Sequence, residues 1–247
     1  MTNVYIYEDS FINLLILVDE LLSNKIKPAN IKNEKYNANL LENLIYLKIE
    51  NKNIVEKYKK ILDKNNLKII YYVYLSNHEN KELIIFYYLL NYFKYKEKII
   101  YMRYLNCVSK ALELSKHVSR ENHRFKGFTR FRELKNKMLY AEIEPENNIL
   151  SILSTHFKNR LKNEYWIIKD KKREIISIYN KKNFYILDCK QFDILNVIDS
   201  DNELEIEDLW KLFYKTIGIS IRKNDKCRMC FMPKKYWKNI LEVSDEI

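Results

Sequence analysis

The sequence predicts an α+β protein, with a mainly helical N-terminal half and a C-terminal half that forms an antiparallel sheet with a packed helix. Apolar residues recur at helical spacing through most of residues 1–116, whereas short β-rich runs separated by charged turns follow residue 118. We therefore place a mainly helical region at 1–116 and an α+β domain at 117–247. A single integrated domain is the alternative, because no linker marks the boundary.

In the N-terminal region, a short strand precedes the first of several helices. Residues 4–7 are β-rich, and Asp9 or Ser10 can cap a helix that runs to about Leu22, because either side chain can accept from the first-turn N–H groups. Pro28 and the polar residues up to 39 predict a connection. A second strand is predicted at 45–50, and helical stretches follow at 54–62, 67–76, 81–95 and 100–116.

The C-terminal region predicts two strands, a helix and three more strands. Pro145 ends the second strand, and Asn147 or Asn148 can cap the helix that follows. This order predicts an antiparallel sheet with a helix on one face. A further helix is predicted at 209–217. The six main elements are placed at 125–134, 137–144, 149–162, 165–169, 174–180 and 184–188.

Positive charge concentrates near the middle of the chain. The net charge is +11, but Lys, Asn, Ile and Tyr are all abundant, as AT-rich codon usage would produce, so lysine alone is a poor indicator of function. Arginine is more informative, because four of the nine arginines fall within residues 120–132. Residues 101–137 carry ten bases and three acids, which is the uneven field that a polyanion site needs.

This basic stretch predicts a contact with nucleic acid. If residues 125–134 form a strand, four cations surround the Phe128 ring on one face; cations neutralise phosphates and an exposed ring stacks on an unpaired base. Gly127 would let a phosphate approach the backbone or permit a positive φ. The alternative is a solvated strand face with Gly127 at a bulge. The predicted DNA-binding residues here are Arg120, Arg124, Lys126, Gly127, Phe128, Arg130 and Arg132.

A second basic patch lies at residues 222–238, with seven bases, one acid and an aromatic pair. It can follow a phosphate backbone, and its predicted contacts are Arg222, Lys234, Lys235 and Trp237. In the alternative interpretation, Tyr236 and Trp237 pin a tail to the core while the lysines remain in water.

Several classes of protein are excluded. Only two glycines, Gly127 and Gly218, are present, so the chain has neither a P-loop nor a dinucleotide-binding motif. Cys227 and Cys230 have metal-ligand spacing, but a structural zinc site needs four ligands and no second pair accompanies them. We expect no metal and no cofactor. No segment reaches the roughly 20 apolar residues that span a bilayer, so a cytoplasmic bacterial protein is expected.

Acid–base candidates are few. Glu121 and His123 lie within the basic stretch, and Glu142 and Glu144 share one side of the next predicted strand. The two strand carboxylates can act in acid–base chemistry or pair with Arg130 and Arg132, and pairing is favoured. The catalytic candidates are Glu121, His123 and Glu144, and whether the protein is an enzyme stays open.

Several motifs occur in order along the chain. They are Val4-Tyr-Ile-Tyr-Glu-Asp-Ser-Phe11, Arg120-Glu-x-His-Arg-Phe-Lys-Gly-Phe-x-Arg-Phe131, Leu139-Tyr-Ala-Glu-Ile-Glu-Pro145, His156-Phe-x-x-Arg160-Leu, Trp166-Ile-Ile-x-Asp170, Arg173, Leu209-Trp-Lys, Arg222-x-Asn224 and Met232-Pro-x-x-Tyr236-Trp-Lys238. Together they resemble a bacterial family described as DNA repair or DNA metabolism proteins. The second half is similar to a domain of unknown function that is also fused to some uracil-DNA glycosylases.

The resemblance implies a DNA context and a radical SAM partner, because standalone relatives are typically paired with a radical SAM protein assigned to DNA modification or repair. Asp225 and Arg228 depart from the family pattern, which tends to have Pro and Gln there, and no catalytic residue can be carried over. We expect a protein that binds and presents DNA while the partner performs the chemistry. The alternatives are a DNA-acting enzyme with glycosylase- or nuclease-like acid–base chemistry, and a protein–protein adaptor without DNA contact.

Overall fold

The computed structural model of the chain describes residues 2–46, 53–134, 137–189 and 224–240. Seven α-helices and two β-sheets lie within these ranges, which confirms the predicted α+β class. Helices concentrate towards the N-terminus, and a five-stranded sheet lies towards the C-terminus. The chain divides into two compact units, Met1–Ser119 and Arg120–Ile247. One continuous helix passes through this division and through residue 116, and the predicted domain boundary stays a prediction.

The first unit contains a small parallel sheet. Its strands are β1 (Thr2–Tyr7), β2 (Asn30–Asn33) and β3 (Glu42–Tyr46), and β1 lies between the other two. Strand β2 corrects the predicted polar connection. Only Ile31 is apolar in it, so its side chains give little β signal; pairing with β1, in which Ile31 lies opposite Tyr5, decides the structure instead. Residues 47–50 of the second predicted strand lie outside the described residues.

Four helices of this unit follow the predicted helical stretches. The Ser10 hydroxyl, one of the two predicted caps, accepts from the Asn13 N–H at 3.1 Å and so begins the first of them. That helix buries a leucine-rich stripe in one core with Tyr58 and Tyr88. The elements are α1 (Phe11–Ser23), α2 (Ile54–Ile61), α3 (Lys64–Leu75), α4 (Lys81–Tyr95), a 3₁₀ helix (Lys96–Tyr101) and then α5 (Asn106–Phe128), which enters the second unit.

The second unit is built on a mixed sheet with the order β4-β5-β6-β7-β8. The predicted sequence of two strands, a helix and three strands is confirmed. The sheet is not wholly antiparallel, because helix α6 crosses over between β5 and β6 and makes that one pair parallel. The elements are β4 (Arg132–Glu133), β5 (Leu139–Ile143), α6 (Leu150–Arg160), β6 (Trp166–Asp170), β7 (Ile175–Tyr179) and β8 (Phe184–Asp188).

Helix α6 packs on one face of this sheet. Its Ser154 hydroxyl donates to the Ser177 hydroxyl of β7 at 2.7 Å, which satisfies a polar pair inside the core. Phe157 meets Phe131 with ring centroids 4.9 Å apart, and this contact joins α6 to the segment that follows α5. The position of α6 is therefore fixed by both a polar and an aromatic contact.

Two short helical segments end the described part of the chain: α7 (Asp225–Phe231) and a second 3₁₀ helix (Lys234–Asn239). The helix predicted at 209–217 lies outside the described residues. Among the helices of the described ranges, none has the length and hydropathy needed to cross a membrane.

Candidate nucleic-acid interface

The basic stretch is the end of a helix, which corrects the predicted strand at 125–134. Helix α5 continues to Phe128, and β4 contains only Arg132 and Glu133. The buried residues of its second half are spaced by three or four, as on one helix face: Val118, Glu121, Asn122 and Phe125.

The sequence pattern was misleading here for a physical reason. Glu121 and Asn122 are polar, so they interrupt the apolar stripe that would have indicated a helix, although both are buried. In the same segment Phe125, Gly127 and Phe131 alternate with charged residues, as they would on a strand. The hydrogen bonds that the buried Glu121 carboxylate makes, described below, favour the helix.

Helix α5 ends with two side chains that satisfy its last carbonyl groups. The Thr129 hydroxyl donates to the Phe125 carbonyl at 2.6 Å, and the Thr129 N–H donates to the same oxygen at 3.0 Å. The Arg130 guanidinium donates to the Gly127 carbonyl. Carbonyl groups of the final turn need such partners. These contacts hold Arg130 close to the end of the helix.

The exposed side of the last turns of α5 carries the cations. Arg120 and Gly127 are exposed along the same side of the helix, and Arg124 and Lys126 are half-exposed on its two flanks. Arg130 follows, also exposed. We call Arg120, Arg124, Lys126, Gly127 and Arg130 the basic surface. The structure therefore brings together five of the seven residues predicted in this stretch, on a helix rather than a strand.

Helix α6 adds to the positive field. The pKa of His156 is lowered, first by burial and then by repulsion from Lys126 and Arg160. These two cations therefore lie near one imidazole, one from each helix. The lowered pKa also keeps the His156 imidazole neutral near pH 7. Sequence reasoning did not assign His156 or Arg160 to a binding surface, although both belong to one of the motifs quoted above.

Gly127 has neither of the two conformational roles predicted for it. It lies inside a helix, no glycine in the described residues has a positive φ, and it is not at a strand bulge. A Cβ placed on it would meet no atom of the described residues within 4 Å. Neither the backbone conformation nor internal packing requires glycine at this position.

Phe128 and Arg132 lie in other surroundings. Phe128 packs on Phe125 and Tyr236, with ring centroids 6.4 Å and 5.8 Å away, so the ring belongs to an aromatic cluster rather than to an open stacking face. Arg132 lies over the Tyr140 ring on the β4–β5 pair, at 5.2 Å from its centroid. The predicted face of four cations around one ring is therefore wrong in its geometry.

Glu121 is the centre of a buried hydrogen-bond network. Glu121 is only 2% exposed. Its carboxylate accepts from the N–H groups of Glu146 and Asn147, both at 2.8 Å. It also accepts from the Asn147 side-chain amide at 2.6 Å and from the Tyr236 hydroxyl at 3.0 Å. Burial is the larger cause and the nearby Glu121 charge the next that raise the pKa of Tyr236. The hydroxyl therefore stays protonated and donates to Glu121. Four donors compensate the buried carboxylate.

Arg173 holds the same loop from the other side. Its guanidinium donates to the Pro145 carbonyl at 3.1 Å, to the Glu146 carbonyl and to the Asp170 carboxylate at 3.0 Å. Asp170 is fully buried, and burial raises its pKa despite the opposing effect of Arg173. The loop of residues 145–147 is thus fixed between Glu121 and Arg173. We call Glu121, Asn147, Asp170, Arg173 and Tyr236 the buried network.

The three catalytic candidates do not come together. Glu121 is buried and fully engaged, whereas His123 is exposed, and a separation of two residues places them on different sides of α5. Glu144 lies 3.6 Å from Lys171, which also pairs with Glu142 at 3.2 Å. Pairing of these carboxylates with Arg130 and Arg132 was expected, and the cation that lies between both carboxylates is Lys171. Burial alone would raise the pKa of Glu142, yet the Tyr140 hydroxyl and Lys171 lower it.

The C-terminal basic patch is bound to the fold by its aromatic pair. Trp237 is 2% exposed; its Nε1–H donates to the Met232 carbonyl at 2.8 Å, and Arg228 and Lys234 lie over its ring. Lys235 pairs with Glu146 at 2.6 Å. Trp237 therefore offers no open face to a base, and the alternative in which Tyr236 and Trp237 pin this segment describes the geometry. Arg222 lies outside the described residues.

Cys227 and Cys230 are residues of α7, and both are exposed. Within the ranges that the structure describes, no three His, Cys, Asp or Glu side chains gather as metal ligands.

A family model described as a domain of unknown function, DUF4130, matches residues 79–242. No curated protein matches the chain, and no solved structure does. The matched range begins just before α4 and ends just after the second 3₁₀ helix, so it contains the basic surface and the buried network.

Proposed function

The chain belongs to the DUF4130 family, a domain of unknown function, and we propose that it binds DNA through the basic surface of α5. The observation that carries this proposal is Gly127. Glycine near the end of a helix lowers stability relative to alanine, and nothing in the described part of the fold requires it here. A glycine in the middle of a cationic surface is accounted for by the close approach of a ligand to the backbone.

The charges around Gly127 suit a phosphate backbone. Arg120 and Arg124 are one helical turn apart, and Lys126 and Arg130 lie at the end of the same helix. Arginine binds phosphate through paired N–H groups, and each phosphate it neutralises releases counterions. We expect these cations to contact phosphates and so to position DNA without selecting a sequence.

The cellular context is proposed from the motif resemblance. We propose that the protein acts in DNA repair or DNA metabolism, binds and presents DNA, and leaves the chemistry to a radical SAM partner. The buried network supports this division of roles, because its carboxylates and guanidinium are used in holding the loop of residues 145–147.

A salt series tests DNA binding directly. We expect the dissociation constant of the purified chain for a short duplex to rise steeply with salt concentration. Arg120→Ala/Arg124→Ala should weaken binding to every sequence and reduce the slope of log K against log salt by about 2, one for each lost phosphate contact.

The matched control is Lys27→Ala/Lys59→Ala, which removes two exposed cations far along the chain from the basic surface. This variant should retain the wild-type slope. Equal losses in both double variants would mean that net charge, and not the basic surface, drives binding. No binding at low salt would contradict the proposal and favour the adaptor, which co-purification with a radical SAM partner would then test.

A further inference from the structure

The segment between α4 and α5 exposes aromatic rings among cations. Tyr101 is 78% exposed and Tyr104 is 73% exposed, although tyrosine rings are usually packed at least on one side. Residues 93–104 also contain four bases and one acid. We call Tyr101, Tyr104, Lys94, Lys98 and Arg103 the tyrosine patch. It lies in the first unit, and the basic surface lies in the second.

The two tyrosines of this patch are placed by local structure. Tyr101 is the last residue of the 3₁₀ helix, and the neighbouring Tyr95 hydroxyl raises the pKa of Tyr104. Lys94 lies over the Tyr95 ring, with its Nζ atom 5.0 Å from the centroid. A fixed and solvated ring loses little conformational freedom when a planar group stacks on it.

Lys96 begins the same 3₁₀ helix with an unusual backbone. Its φ of 53° and ψ of −140° fall where side chains other than glycine are strained. The turn therefore keeps a lysine at a position where glycine would fit without strain. The Lys96 Nζ atom lies 5.6 Å from the Phe93 centroid, so the residue contributes a cation beside another partly exposed ring.

An open pocket of about 360 Å³ lies beside Tyr101. Its volume is within the range of small-molecule sites. Lys98 lines it, Asn65 brings an amide, and Glu97 and Asp63 bring carboxylates to the same space. The Asp63 carboxylate already accepts from the N–H groups of Asn65 and Asn66. Amide and carboxylate groups are the side chains that bind the amino and ring-nitrogen edges of bases, so Asn65 and Glu97 are the groups here that suit a base edge.

We propose that the tyrosine patch binds single-stranded DNA, with Tyr101 and Tyr104 stacking on unpaired bases and the surrounding cations holding its phosphates. Aromatic rings within a cationic surface are the usual way in which proteins bind single strands, and a duplex hides the faces of its bases. The inference rests on the proposed DNA function and adds the strand state of the ligand.

Fluorescence anisotropy with a labelled oligo(dT) of about 20 nucleotides, and with a duplex of the same length, tests the proposal. Tyr101→Ala/Tyr104→Ala should weaken oligo(dT) binding at least about tenfold and leave duplex binding within about twofold, because only unpaired bases stack. Tyr101→Phe/Tyr104→Phe should retain the affinity, since stacking uses the ring and not the hydroxyl. Tyr46→Ala/Tyr185→Ala, which removes two other exposed rings, is the control and should bind as wild type.

Three results would overturn the inference: unchanged oligo(dT) affinity in the alanine variant, an equal loss on duplex, or no binding of oligo(dT) by the wild-type chain. The variants of the basic surface keep the two proposals apart. If Arg120→Ala/Arg124→Ala binds as wild type while the tyrosine variant loses oligo(dT), the basic surface is wrong and the tyrosine patch stands. The reverse result removes the tyrosine patch alone.

Discussion

Replacement of Gly127 by alanine separates a binding role from a structural one. Among the residues that the structure describes, no atom lies within 4 Å of a Cβ at this position, and the backbone is already helical. Alanine should therefore fit without strain and reduce the freedom of the unfolded chain. The full gain for such a change is about 0.5–1 kcal/mol in a helix interior. Because Gly127 is the second-last residue of α5, we expect the lower end of that range.

The same methyl group should weaken DNA binding. It would lie between the cations of the basic surface and push an approaching phosphate away from the helix. Loss of one charge-assisted hydrogen bond costs about 1.5 kcal/mol or more. The dissociation constant for a short duplex should therefore rise by about tenfold. Stability and affinity should change in opposite directions, which a residue of only structural importance would not produce.

Urea denaturation and fluorescence anisotropy on the same preparation measure the two effects. Ser109→Ala is the matched control, because it improves helix propensity at an exposed position near the start of α5 without changing the basic surface. It should leave DNA affinity unchanged. Unchanged affinity in Gly127→Ala would refute the close approach of DNA to this backbone. A loss of stability in Gly127→Ala would contradict the conclusion that a Cβ fits at this position without strain.

Two further predictions concern the second unit. Tyr236→Phe removes one of the four donors to the buried Glu121 carboxylate, so we expect the free energy of unfolding to fall by about 1.5–3 kcal/mol. Tyr185→Phe, at an exposed ring, should stay within about 0.5 kcal/mol, and equal values would contradict the network. The second prediction uses the lowered pKa of His156. The unfolded chain takes up this proton more readily, so the stability contribution is fully present above the usual pKa of 6.5 and is lost as the pH falls through the lower folded value. The urea midpoint should therefore fall more between pH 7.5 and 5.5 in the wild type than in His156→Gln, and parallel profiles would contradict this.

The order of elements could be predicted from sequence because most of it is local. The strands at 166–170, 175–179 and 184–188 are short β-rich runs with charged turns between them. The residue that caps α1, Ser10, directly precedes Phe11 in the sequence. The direction of pairing was harder. The parallel β5–β6 pair depends on where α6 returns the chain, which is a property of the whole crossover and not of either strand.

The candidate site could be located but not shaped from sequence. The density of arginine indicated the stretch in which the structure places five predicted residues together, since charge is visible in composition alone. Their arrangement depends on Glu121, whose partner Tyr236 is 115 positions away along the chain. A buried carboxylate looks like a surface residue in a sequence until its donors are known. This ambiguity, together with the alternation of Phe125, Gly127 and Phe131 with charged residues, predicted a strand where the chain forms the end of a helix.

The motif residues include residues of the basic surface and residues of the buried network. The way in which the second set holds the first explains why both occur in the same motifs. Glu121 follows Arg120 and lies about one turn before Arg124 on α5, so the bonds that join Glu121 to the loop of residues 145–147 also hold the part of the helix that carries the two arginines. A helix end that is ordered before a ligand arrives reduces the entropic cost of binding. We therefore expect the buried network to contribute to DNA affinity without touching the ligand. It follows that Tyr236→Phe should weaken DNA binding only through a less ordered helix end, and should leave the number of phosphate contacts, and hence the salt slope, unchanged.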